Sequence, residues 1–200
     1  MAPGRLVLGS ASPRRADLLA EAGLEFEVLP AHVDEDFEHR EDAEGVAVEL
    51  ALRKAVAVAD LVPLGPAWVI GGDTVVVLGA GTYLGKPADE DEAHAMLSSL
   101  SDTTHRVVTG VAALQLGPDG TVLASAARAE VTEVTMRPIE PAEVAAYVAS
   151  GEWRGKAGGY AIQETADRFV TQLAGGGFDN VVGLPVGLTL ELLKEVGWAG

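Results

Sequence analysis

The sequence predicts an α/β fold on a mixed β-sheet with flanking helices. Three observations carry this. Strand-like and helix-like segments alternate through the first hundred residues. The strongest strand signal, Trp68–Leu78, is apolar and β-branched. Two further β-rich runs, Arg106–Leu116 and Thr121–Val134, are joined by the turn Pro118-Asp119-Gly120, which suits an antiparallel hairpin inside an otherwise α/β pattern.

The elements follow in order. Leu6-Val7-Leu8 is a short apolar strand broken by Gly9-Ser10-Ala11-Ser12. Pro13 suits the first turn of a helix with Ser12 as N-cap, and that helix runs through Leu18 and Leu19 to a stop at Gly23. Leu24 to Pro30 reads as a second strand, and the acidic, weakly patterned stretch from His32 to Glu44 as a loop. A helix over Gly45–Asp60 ends before Pro63. After the Trp68–Leu78 strand, Gly79-Ala80-Gly81-Thr82 turns the chain, and a helix covers Asp89–Leu100. The central hairpin precedes a helix over Pro141–Ser150 with a Gly151 stop, a strand around Tyr160–Gln163, and a closing helix near Pro185–Val196. No repeat or low-complexity linker interrupts residues 1–200, so a single domain is expected.

Composition narrows the function. With 48% hydrophobic and 22% charged residues the chain is globular, not disordered. It has no cysteine, which excludes disulfides, thiolate metal sites and a cysteine nucleophile. Its four histidines (His32, His39, His94, His105) never fall at a metal-ligand spacing. The net charge of −16 disfavours nucleic acid as a partner, and an anionic substrate would require the few cations to be gathered at one place. No apolar run reaches the ~18 residues of a membrane span, and no signal-peptide pattern opens the chain, so a soluble cytoplasmic protein is expected.

Three features conflict with their surroundings, and such conflicts tend to mark functional or strained sites. Asp73 sits inside the strongest strand beside Gly71 and Gly72. It is either an aspartate at a strand end or bulge satisfied by backbone donors, or a metal ligand or general base facing a cleft. Lys54 lies in an apolar helical stripe with Leu50, Ala51, Val58 and Leu61. It either snorkels to water or aims its amine at a buried anion. Ser10-Ala11-Ser12-Pro13-Arg14-Arg15 places two hydroxyls, a helix N-terminus and two guanidiniums after a strand, the ingredients of an anion site or simply a capped helix with two solvated arginines. By contrast Gly79–Pro87 fails as a phosphate loop, because Ala80 and Pro87 stand where Gly and Ser or Thr are needed. Gly175-Gly176-Gly177 reads as a plain flexible turn, and Glu35 alone, within Asp34-Glu35-Asp36, would pass as part of a solvated acidic run.

Taken in order, eight segments resemble the Maf family of nucleotide pyrophosphatases. They are Ser10–Arg15, Val33-Asp34-Glu35, Lys54-Ala55, Gly72-Asp73-Thr74, Gly85-Lys86-Pro87, Thr109-Gly110-Val111, Lys156–Gln163 and Asn180–Pro185. The resemblance implies an elongated α/β fold, with a mixed elongated β-sheet, like that of inosine triphosphate pyrophosphatases, with two lobes around a cleft, and a homodimer. It implies hydrolysis of a nucleoside triphosphate to monophosphate and pyrophosphate with a divalent cation, Mg²⁺, Mn²⁺ or Co²⁺. Carried over by position, Asp73 is the proton acceptor and, with Glu35, a metal ligand. Ser10, Arg14, Arg15, Lys54 and Lys86 contact phosphate. Arg14, Thr74 and Gln163 match the branch acting on dTTP and UTP, whereas the branch acting on 7-methyl-GTP tends to carry Trp, Gln and Glu there. The alternatives are a non-enzymatic nucleotide-binding regulator of cell division, or a pyrophosphatase for another, modified nucleotide such as 7-methyl-GTP. The chain departs from the family pattern at Gly9 and Gly72, where alanine is frequent, and at Asp102, which replaces a turn glycine.

Overall fold

The structure is a computed structural model that describes residues 4–30, 33 and 42–200. Its elements are β1 (Arg5–Leu8), α1 (Pro13–Glu21), β2 (Glu27–Val28), α2 (Ala43–Ala59), β3 (Ala67–Leu78), β4 (Thr82–Leu84), α3 (Glu90–Leu100), β5 (Thr104–Leu116), β6 (Val122–Met136), α4 (Pro141–Ser150), β7 (Val170–Gly175), α5 (Phe178–Val182) and α6 (Val186–Glu195). The strands form one sheet in the order β2-β1-β3-β5-β6-β7, with β4 also paired to β3. β1 runs parallel to both β2 and β3, and every other pairing is antiparallel. The predicted mixed α/β sheet is therefore present.

The long strand β3 alternates its side chains between two environments. Val69, Val75 and Val77 meet α2, while Ile70 and Val76 face the other side. Helix α2 lies very close to the sheet through the stripe Ala47, Ala51 and Ala55, all fully buried. A Cβ added at Gly71 would collide with the Ala51 carbonyl, and one at Gly110 with the Ala47 carbonyl, so both glycines are demanded by this approach. On the opposite face two apolar clusters sit at different ends of the same strands. One joins Leu6, Leu8, Leu19 and Ile70 to Leu192 and Leu193 of α6. The other joins Val76, Val107 and Val134 to α3, α4, Trp153 and Phe169. Among the described residues these two clusters are separate, and a polar belt containing Thr74 and Thr109 lies between them, which gives the two lobes and the cleft a physical cause.

Several expectations need correction. The predicted strand Leu24–Pro30 contracts to Glu27–Val28, both exposed at the sheet edge. Tyr160–Gln163 pairs with no strand. It follows a tight turn in which Gly158 and Gly159 both have positive φ, and Tyr160, Ala161 and Ile162 are all buried, Tyr160 and Ile162 against the α3/α4 lobe. Thr82 begins β4 and does not end in a simple turn. The edge strand β7 is half exposed throughout, so it carries no alternation to read.

Asp102 is the only non-glycine with positive φ among the described residues, at 56° after α3. Glycine takes this conformation without a Cβ clash. Asp102→Gly is expected to stabilise the fold by about 0.5–1 kcal/mol, raising the midpoint of urea unfolding; an unchanged or lower midpoint counts against strain at this turn.

Candidate active site

The sheet register leaves a gap. β1 pairs with β3 only as far as Leu8 opposite Ile70, and the pairing of β4 with β3 reaches only to Leu84 opposite Val76. On that side, among the described residues, no strand pairs with positions 71–75 of β3. The gap lies beyond the carboxyl end of β1, which has β2 on one side and β3 on the other, so that the strand order reverses there; ligands of open α/β sheets bind at such switch points. A cavity of about 490 Å³ opens there. It is lined by the β1–α1 connection, the middle of β3, the segment 154–163 and the segment 181–183.

Eight of the nine predicted site residues share this one cavity: Ser10, Arg14, Arg15, Lys54, Asp73, Thr74, Lys86 and Gln163. Glu35, the ninth, lies outside the described residues. Two cations that sequence reasoning did not single out, Arg154 and Lys156, also line it. Six of the chain's 14 basic residues thus converge on one cavity, and Asp73 is the only described carboxylate in its wall. The condition set by a net charge of −16 is met: the cations are gathered.

Asp73 and Lys54 meet because of the glycines beneath α2. Asp73 follows Gly71 on the helix-facing side of β3, and Lys54 adjoins Ala51 and Ala55 on the helix. Lys54 Nζ donates to Asp73 Oδ1 at 2.5 Å, with each side chain 12% exposed. This ammonium is held against a carboxylate and does not snorkel, and Asp73 is in mid-strand, not at an end or bulge. Removing either partner would leave a poorly hydrated charge behind.

Thr74 points to the other face. Arg15 braces three segments there: Nη1 donates to Ser10 Oγ at 3.1 Å, Nη2 to Thr74 Oγ1 at 3.1 Å, and Nε to the Gly183 carbonyl at 2.7 Å. Ser12 is the N-cap of α1 by backbone, yet its side chain caps nothing; its N–H donates instead to Ser10 Oγ at 3.2 Å. On the far wall, Lys156 bonds the Glu152 carbonyl and Glu164 Oε2, and Thr165 bonds Glu152 Oε2, so the strap carrying exposed Gln163 is tied down on both sides. Lys156 belongs to the motif quoted above, whereas exposed Arg154 left no sequence signal.

Behind the cavity wall, Tyr160 OH and His105 Nε2 are 2.7 Å apart. Burial pushes the Tyr160 phenol well above its usual range and pulls His105 from its ordinary 6.5 down to about 4. Between those two pH values an unfolded chain binds a proton that folded His105 refuses. This residue's contribution is therefore largest above pH 6.5 and is lost as pH falls toward about 4, by about 1.4 kcal/mol per unit. Urea unfolding across that range should show His105→Phe with a shallower pH slope than the wild type; parallel slopes would mean that His105 titrates normally when folded.

Among the described residues no cluster of three or more His, Cys, Asp or Glu side chains could cage a metal. One carboxylate beside many phosphate-seeking cations nevertheless fits a Mg²⁺-type ion, which uses one or two carboxylates together with substrate oxygens.

A strand-gap cavity with six cations and one carboxylate defines a binding protein for a small polyanion. The match to known proteins makes this particular. The Maf-like protein family model covers residues 5–196, and the chain belongs to that family. A Geobacillus protein named dTTP/UTP pyrophosphatase is 44% identical over 194 residues, covering 97% of this chain and 99% of its own. One of the same name from Geobacter sulfurreducens is 43% identical over 197 residues, with 98% and 99% covered. The Ham1 protein of Staphylococcus aureus overlaps the structure with a TM-score of 0.39 at 17% identity, covering 66% of this chain and 71% of that one.

Proposed function

We propose that this protein hydrolyses nucleoside triphosphates, dTTP and UTP foremost, to the monophosphate and pyrophosphate. The observation that carries the reading is the Lys54–Asp73 contact inside a cation-lined gap in the sheet. A water molecule attacks the α-phosphorus, the bond from that phosphorus to the bridging oxygen breaks, and pyrophosphate leaves. Asp73 takes the water's proton, with one carboxylate oxygen fixed by Lys54 so that the other is aimed. Arg14, Lys86 and Arg154, reaching in from three segments, offset charge on the leaving side; phosphoryl transfer depends mostly on such positioning and electrostatics. Ser10 and Arg15 shape the phosphate end together, Arg15 mainly by holding Ser10, Thr74 and Gly183 in place. A divalent cation, Mg²⁺, Mn²⁺ or Co²⁺, would be held by Asp73 and Glu35 and would withdraw charge from the phosphates.

Base selection is assigned to Arg14, Thr74 and Gln163. The Gln163 amide can donate to a pyrimidine carbonyl. Thymine and uracil differ by one methyl, a difference worth ~1–3 kcal/mol at most in a tight pocket, so both are accepted. A homodimer is part of the same proposal, and sedimentation of the purified chain tests it.

The experiment is pyrophosphate release from dTTP, UTP, CTP, 7-methyl-GTP and the purine triphosphates, with Mg²⁺ or Mn²⁺ and with metal chelated. Metal-dependent release confined to dTTP and UTP supports the whole reading. Release from another nucleotide keeps the hydrolase and discards the base assignment. Tight binding without release points to the nucleotide-binding regulator instead.

A further inference from the structure

The polar belt between the two lobes is a one-way chain of hydrogen bonds, and its direction has a consequence for the ligand. Thr109, fully buried on β5, stands directly across from Thr74 in the β3–β5 register. Its hydroxyl donates its single proton to the Asn180 backbone carbonyl at 2.9 Å. At the Thr74–Thr109 contact, also 2.9 Å, the donor must therefore be Thr74. Thr74 in turn accepts from Arg15 Nη2. The far end cannot slip, because Asn180 is buried and its Nδ2 donates to the Val107 carbonyl at 3.1 Å and to Thr132 Oγ1 at 2.8 Å. Arg15 Nε closes the circuit at the Gly183 carbonyl, one turn of chain beyond Asn180.

We propose that Thr109 is a positioning residue for base selection: by taking the Thr74 proton it leaves Thr74 able only to accept from whatever occupies the cavity. A ligand atom beside Thr74 must then be a donor. The N3–H of a uracil or thymine imide meets that condition, whereas N3 of cytosine carries a lone pair and is repelled. The inference rests on the nucleotide reading given above, and it adds that discrimination at the partly exposed Thr74 is set from a residue that touches no ligand.

The test is the UTP-to-CTP ratio of kcat/KM for wild type, Thr109→Val and Thr109→Ser, with UMP and CMP binding measured by calorimetry alongside. Thr109→Val is expected to lower the ratio at least tenfold, chiefly through KM for UTP, and Thr109→Ser to stay within threefold of wild type. The UMP-to-CMP affinity ratio should move in the same direction. A lower Tm for Thr109→Val with both ratios unchanged overturns the proposal and leaves Thr109 a structural residue. A wild type that binds UMP over CMP but hydrolyses neither triphosphate would sink the hydrolase reading while leaving the positioning claim to stand or fall on the binding ratio. Should the valine variant fail to fold, Thr109→Cys, whose thiol is a weak acceptor of similar size, is expected to lower the ratios in the same direction; unchanged ratios there overturn the proposal too.

Discussion

Asp73→Asn is expected to lower kcat for pyrophosphate release from dTTP by about 10³-fold or more while leaving the nucleotide bound. The substitution keeps the shape of the side chain and an oxygen for Lys54 Nζ, which lies 2.5 Å away in the wild type. It removes only the ability to take a proton and the negative charge. Asp73 is the one described carboxylate in a wall that holds six cations, so deleting its charge removes repulsion toward a triphosphate. Binding in the absence of added metal should therefore be unchanged or tighter. Pre-steady-state release together with calorimetric titration separates the two effects. Turnover at a tenth of wild type or more would take Asp73 out of the proton-acceptor role, whatever its effect on binding.

Why Asp73 could be picked out of the sequence, while its partner's geometry could not, is a matter of range. An aspartate between Ile70 and Val75 in a run of β-branched residues violates a local rule, and local rules are legible in one strand. The apolar stripe around Lys54 is legible in one helix in the same way. That these two meet depends on Gly71 and Gly110 letting α2 rest on the sheet, a long-range contact that no periodicity encodes. The same limit applies to the gap opposite positions 71–75. It comes from where the pairings of β1 and β4 with β3 stop, which is register, and the first residue of β4, Thr82, reads as part of a turn. The bounds of helices such as α3 and α4 are legible nearly to the residue, because Asp89 and Pro141 start them and Gly151 stops one of them. Tyr160–Gln163 reads as a strand for a related reason. A short apolar run reports burial, and a segment pressed into a lobe without a ladder carries the same run as a buried strand. The polar belt was half visible: Thr109 and Asn180 stood inside quoted motifs, but nothing short of the cross-strand register tells that Thr109 faces Thr74.

Lys54→Met is the second large effect, and it separates two roles that the wild type combines. Methionine preserves the apolar stem within the α2 stripe and removes the ammonium. If Lys54 only met the phosphates, the loss would appear as weaker dTTP binding, with dTMP little affected and the fold intact. The structure adds a second consequence, since Asp73 Oδ1 loses its donor in a site where the carboxylate is only 12% exposed. Breaking such a pair from one side costs about 3 kcal/mol or more, so Lys54→Met should unfold at clearly lower urea than wild type. Adding Asp73→Asn neutralises the stranded carboxylate and should recover much of that stability, a coupling of about 1–3 kcal/mol in a double-mutant cycle. Activity should not return with it, because the double variant has neither the aimed carboxylate nor the cation, and kcat should stay about 10³-fold down. Additive losses of stability in the cycle would mean that the two side chains do not depend on each other in solution. Equal loss of dTTP and dTMP affinity in Lys54→Met would remove Lys54 from the β,γ-phosphate end and leave it solely as the group that holds Asp73.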